Sequence, residues 1–153
     1  QKTAYEIMPS LVGSEMCIRD RIKASHSSLN DSGNVSHVFG EWRIRMYRLE
    51  NMPIVTVRIS PYQQWQLLYG KAGSGGTAIV SWSAHVFQKK GASPSAQELA
   101  QAIVEYLAKK GRDTSTGICY FYEMLMRESE PERGPSNITR IIIEGRMLVK
   151  YSY

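Results

Sequence analysis

One segment of this chain is strongly helical, and strand-like segments lie on both sides of it. Its apolar residues recur three and four positions apart, at Leu99, Ala102, Ile103, Tyr106 and Leu107. The helix begins either at Ser93-Pro94, a capping residue followed by proline, or at a capping box of Ser95 and Glu98. Because one amphipathic helix cannot bury its apolar stripe alone, this helix, from about Ser95 to Lys110, must pack on a β-sheet.

The remaining ordered segments have the residue pattern of strands. Alternating, β-branched or aromatic residues predict strands over residues 42–47, 54–59, 78–88 and 118–127. Residues 138–143 and 146–151 are typical of a closing hairpin that turns at Glu144-Gly145. For two segments the pattern does not decide between helix and strand. Residues 62–69 fit a short helix or a strand, and residues 122–128, within a predicted strand, also fit a helix.

These elements indicate an α+β fold with a mostly antiparallel sheet, because the connections between successive strands are short. We expect a single domain over residues 38–153, preceded by a flexible lead-in over residues 22–37, which is rich in Ser, Asn, Asp and Gly. The helix covers one face of the sheet in this interpretation. The other face is then open to water or to a partner.

Residues 1–21 resemble the translation of sequencing-library adapters. Residues 1–7 are similar to a flow-cell adapter, and residues 11–20 are similar to a transposase-derived adapter. The segment carries as many acidic as basic residues, so the net charge of +5 belongs to the rest of the chain. We therefore expect a non-native leader, acquired from a sequencing assembly, that makes few contacts with the domain.

Composition narrows the classes of function. The positive net charge suits an anionic partner such as nucleic acid. Outside the leader the chain has one cysteine, Cys119, which favours a reducing compartment. No apolar run reaches membrane-spanning length, so no membrane association is expected. No set of His, Cys, Asp or Glu residues has the spacing of metal ligands. The glycine-rich segment of residues 70–77 has Gly76 directly before Thr77, where a phosphate-binding loop needs a lysine, so no cofactor is predicted.

The candidate site combines arginines with tyrosines on predicted strands. Arg43, Arg45 and Arg58 would neutralise phosphates, and Tyr120 and Tyr122 would stack on bases. The leading hypothesis is therefore a non-enzymatic module that binds single-stranded RNA or DNA through a basic and aromatic sheet face.

Two further hypotheses compete with this one. The chain is alternatively a structural or assembly protein, such as a capsid, linker or complex subunit, that self-associates through the open sheet face. An enzyme is less expected. Its candidate residues would be His37 and His85, by analogy with two-histidine phosphoesterases, but Phe39 and Phe87 stand where those enzymes need a hydroxyl.

Overall fold

The computed structural model describes residues 18–33, 35–40, 52–61, 64–68, 76–110, 119–129 and 137–151. Two helices and six strands are seen in this part of the chain, with a short 3-10 helix at Ser27–Leu29. The helices are α1 (residues 18–25) and α2 (Ala96–Lys110). The strands are β1 (Val38–Gly40), β2 (Ile54–Ile59), β3 (Gln66–Leu68), β4 (Gly76–Lys89), β5 (Cys119–Ser129) and β6 (Ile138–Tyr151).

The strands form a single sheet in the order β1-β2-β4-β6-β5. β1 and β2 are parallel, and every other pair is antiparallel. β3 pairs with β4 next to the region paired by β2, so the ambiguous segment of residues 62–69 contains a strand. The predicted mostly antiparallel α+β fold is confirmed. The predicted strand over residues 42–47 lies outside the described residues.

The predicted closing hairpin at Glu144-Gly145 is wrong. β6 runs without a turn through both residues and pairs with β4 along its whole length, from Ile138 opposite Lys89 to Tyr151 opposite Gly76. Gly145 has a packing role here, because a Cβ atom at this position would lie 3.2 Å from the Trp82 ring and from Met124 Cγ. The glycine leaves room for these side chains within a continuous strand.

The alternation of buried and exposed residues along β4 distinguishes the two faces of the sheet. Its even-numbered residues from 78 to 88 are all buried, whereas most of the odd-numbered ones are exposed or half-buried. Leu99, Ile103 and Leu107 of α2 join Val80 and Val86 in one core cluster. α2 packs on β4, β6 and β5, and we call this side of the sheet the covered face and the opposite side the second face.

The predicted helix is confirmed, and its start selects between the two predicted caps. The Ser95 hydroxyl accepts a hydrogen bond from the Glu98 amide at 3.1 Å, and the Glu98 carboxylate accepts one from the Ser95 amide at 3.3 Å. This is the reciprocal arrangement of a capping box. The helix therefore begins at Ala96, after the Ser95 cap rather than after Ser93.

The described part of the N-terminal region contacts the core, contrary to the few contacts expected of residues 1–21. Ile18, inside the expected leader, and Ile22 and Leu29, inside the expected flexible lead-in, are all fully buried in the core cluster. The guanidinium of Arg21 lies 5.4 Å from the centre of the Phe121 ring. Ile18 and Ile22 are four residues apart on α1 and so lie on the same side of that helix, and their burial outweighs the polar composition around them. Residues 1–17 lie outside the described part of the chain.

Candidate functional site

The second face of the sheet divides into two parts. At one end, Ile54, Phe87, Ile138 and Ile142 are at most 3% exposed, although α2 packs on the opposite side. At the other end the side chains are polar and reach solvent. The expectation that the second face is open to water or a partner therefore holds only for the polar end.

The polar end holds a groove of about 500 Å³. It crosses the sheet from the end of β2 to β5 and is lined by Arg58, Ser60, Pro61, Gln64, Ser81, Trp82, Ser83, Glu123, Leu125, Glu144, Gly145 and Arg146. The register explains the groove, because Arg58, Ser83, Glu144 and Leu125 follow one another across four neighbouring strands. The short serine side chains on β4 lie between longer side chains on β2 and β6.

Ion pairs occupy several of the charges around this groove. Arg127 donates to Glu144 Oε1 through Nη2 at 3.0 Å and through Nε at 3.3 Å. Arg146 Nε lies 3.5 Å from a carboxylate oxygen of Glu123. All four side chains are about half exposed, so these pairs contribute little to stability. They nevertheless place carboxylates beside the cations and lower the net positive charge of this end.

β5 forms one edge of the sheet and is interrupted by a bulge. Tyr122 pairs with Arg146 and Leu125 pairs with Glu144, so two residues of β5 lie opposite the single residue Gly145. Glu123, the first of the two, has a φ of 54°, which is unfavourable for a residue with a side chain. The bulge turns Glu123 towards Arg146 and lets Met124 pack on the core cluster.

Beyond the bulge, β5 exposes two large apolar side chains in succession. Leu125 is 66% exposed and Met126 is 41% exposed. Because successive residues of a strand point to opposite faces, one lies on the second face and the other on the covered face. No described strand pairs with the outer edge of β5. This end of the sheet therefore combines a strand edge that no described strand pairs with exposed apolar side chains on both faces.

The structure describes only part of the predicted nucleic-acid site. Arg58 lies exposed on β2, in the groove. Tyr120 and Tyr122 belong to β5, opposite Leu148 and Arg146 in the register. Arg43 and Arg45 lie outside the described residues. The five residues are therefore not shown to form one surface, and the site remains a prediction.

The two histidines of the enzyme hypothesis lie on different strands. His37 directly precedes β1, and its Nδ1 is 2.8 Å from the carbonyl oxygen of Pro53. His85 is on β4, opposite Thr56 of β2. Since β2 lies between β1 and β4, the two backbones are about two strand spacings, roughly 10 Å, apart. The sheet therefore does not place the two residues at neighbouring positions.

Within the described ranges, no group of three or more His, Cys, Asp or Glu residues is arranged to hold a metal ion. None of the described helices is both long and apolar enough to cross a membrane.

The sequence pattern does not identify the residues that characterise the polar end. It predicts Glu144 in a turn and Arg146 in the strand that follows, and for Leu125 and Met126 it fits a helix as well as a strand. One signal was present in the chain: the β-branched and apolar residues on either side of Glu144-Gly145 keep the same alternation. Continuous alternation is typical of one long strand, since a turn would reset it.

Comparison with known proteins gives likenesses in structure only. No protein-family model matches the chain, and no curated protein matches it significantly in sequence. A chain of the virion of the native gene transfer agent particle is similar in structure, with a TM-score of 0.48 and 14% sequence identity. The match covers 83% of this chain and 92% of that chain. A likeness at this level assigns no function to this chain.

Proposed function

We propose that this domain is a structural or assembly protein that binds another protein chain through the outer edge of β5. The observation that carries the proposal is the exposure of Leu125 and Met126 at neighbouring positions of this edge strand. An edge strand offers unpaired N–H and C=O groups to a further strand, and adjacent apolar side chains favour association.

The location of these two residues distinguishes them from ordinary surface hydrophobics. Among the described residues, the exposed large hydrophobic side chains are Val35, Leu125 and Met126. Val35 stands by itself in an isolated bridge outside the sheet, which is normal for a soluble domain. Leu125 and Met126 are instead neighbours on an edge strand, so each face of the sheet has an exposed apolar side chain at this edge.

The nucleic-acid hypothesis receives less support from the same surface. A strand of nucleic acid is held largely by cations that neutralise its phosphates. On the described part of the second face, Arg127 and Arg146 already lie beside Glu144 and Glu123. These carboxylates would repel a polyanion, so we prefer the assembly function.

Light scattering coupled to size-exclusion chromatography tests the assembly function. We expect the wild-type chain to form an oligomer whose mass rises with concentration and the double variant Leu125→Glu/Met126→Glu to be a monomer. Val35→Glu is the matched control, since it places the same charge on an exposed apolar residue elsewhere, and we expect it to behave as wild type.

Two outcomes would overturn the proposal. One is a wild-type chain that stays monomeric at every concentration, and the other is a double variant that assembles as wild type does. A monomer whose affinity for single-stranded RNA weakens as salt rises would support the nucleic-acid hypothesis instead.

A further inference from the structure

We propose that the partner at this edge is a second copy of the chain, whose β5 pairs antiparallel with β5 around a two-fold axis at Met126. The inference rests on the assembly function proposed above and adds the identity of the partner and the register of the pairing. Such an interface is self-complementary, since each copy contributes the same surface.

The choice of a second copy follows from what the described strands offer. The other end of the sheet is β1, which has three residues, and its Val38 is buried in the core. β5 has eleven residues and, of the described strands, is the one that combines a sheet edge with exposed large apolar side chains. The same strand in a second copy therefore supplies both requirements at once, a backbone edge and a matching apolar surface.

The bulge limits where regular pairing can occur. Register is regular from Leu125 to Ser129 and is interrupted between Tyr122 and Leu125. An antiparallel pair with its two-fold axis perpendicular to the sheet places one residue directly opposite its own copy. An axis at Leu125 would place Met126 and Arg127 opposite the bulge residues Met124 and Glu123, whereas an axis at Met126 keeps residues 125–127 in regular register.

Charge selects among the remaining positions. An axis at Arg127 or at Glu128 sets like charges directly opposite each other, which destabilises a strand pair. An axis at Met126 sets two methionine side chains opposite each other and places Leu125 against the aliphatic part of Arg127. The second copy then covers both Leu125 and Met126, and the charged groups of Arg127 and Glu128 remain in contact with water at the border of the interface.

Cysteine cross-linking under mild oxidation tests the register. At the two-fold axis the Cβ atoms of residue 126 are about 5 Å apart, close to the separation in a disulfide. In the same register the two copies of residue 128 are about 14 Å apart along the strands. We therefore expect Met126→Cys to form a covalent dimer at least about tenfold faster than Glu128→Cys. The wild-type chain, with Cys17 and Cys119, gives the baseline.

Light scattering on the same samples separates the two proposals. If the variants are dimers but Met126→Cys cross-links no faster than Glu128→Cys, the β5 register is wrong and the assembly function stands. If Glu128→Cys cross-links faster, the two-fold axis is elsewhere on the strand and the register is again wrong. If the wild-type chain is a monomer, both proposals fail.

Discussion

The two faces of the sheet are built from alternate residues of the same strands, yet they differ in organisation. On the covered face, apolar residues of β4 and β6 pack against α2, and Ile18 and Ile22 of α1 belong to the same core cluster. On the second face, an apolar end with buried Ile142 gives way to a polar groove lined by Glu144 and Arg146. The contrast shows that a row of apolar residues along a whole strand specifies a core. A row that changes from apolar to polar residues leaves part of the face exposed to solvent or to a partner.

Adjacent isoleucines in β6 provide the strongest test of this contrast. Ile143, on the covered face, is fully buried, and Ile142, on the second face, is 3% exposed. We expect Ile143→Ala to lower the free energy of unfolding by about 3–5 kcal/mol and Ile142→Ala by about 2–3 kcal/mol, because the cost depends on how far the site can collapse. Urea unfolding measures both, with exposed Glu144→Ala as the control. Equal losses would remove the distinction between the faces.

The role of α1 on the covered face is tested at Ile18. Its side chain is fully buried in the same core cluster as the residues of α2. We expect Ile18→Ala to lower the free energy of unfolding by about 2 kcal/mol, as for other truncations of buried isoleucine. Asp20→Ala, at an exposed position of the same helix, is the control. A loss below about 0.5 kcal/mol would instead agree with the expectation that this part of the leader makes few contacts with the domain.

The bulge on β5 is tested by comparing alanine with glycine. Glu123 has a φ of 54°, so glycine adopts its conformation without the steric cost that alanine carries. We expect Glu123→Gly to be about 1 kcal/mol more stable than Glu123→Ala in thermal or urea unfolding. Glu128, beyond the bulge on the same strand, is the matched control, and there we expect alanine to be the more stable. The same order at both positions would contradict a left-handed residue at 123.

The smallest effect is expected at the ion pair beside the groove. Arg127 and Glu144 are each about half exposed, so removing their attraction changes stability little. We expect Arg127→Ala to change the free energy of unfolding by less than about 1 kcal/mol, and a double-mutant cycle with Glu144→Ala isolates the pair. A larger coupling free energy between Arg127 and Glu144 would mean that this ion pair stabilises the fold, and the groove beside it would then have a structural role.

The sequence predicted the elements whose pattern is local. The helical spacing of Leu99, Ile103 and Leu107 and the capping box at Ser95 are contained within a few turns, and both are confirmed. The apolar pattern of residues 78–88 also predicted a strand there, and β4 confirms it. Failures occurred where local composition and distant packing disagreed: Gly145 suits a turn by itself, but here it lies within a strand, where the Trp82 ring leaves little room for a side chain.

Local sequence patterns were sufficient to predict a mostly antiparallel α+β fold with one main amphipathic helix, since periodicity and capping are properties of neighbouring residues. Three features became visible only in three dimensions: β6 is one long strand, Ile18 and Ile22 belong to the core, and β5 is the edge that exposes Leu125 and Met126. Strand order and burial depend on contacts between residues far apart in the chain. Short-range patterns contain no information about which of two similar strands lies at the edge.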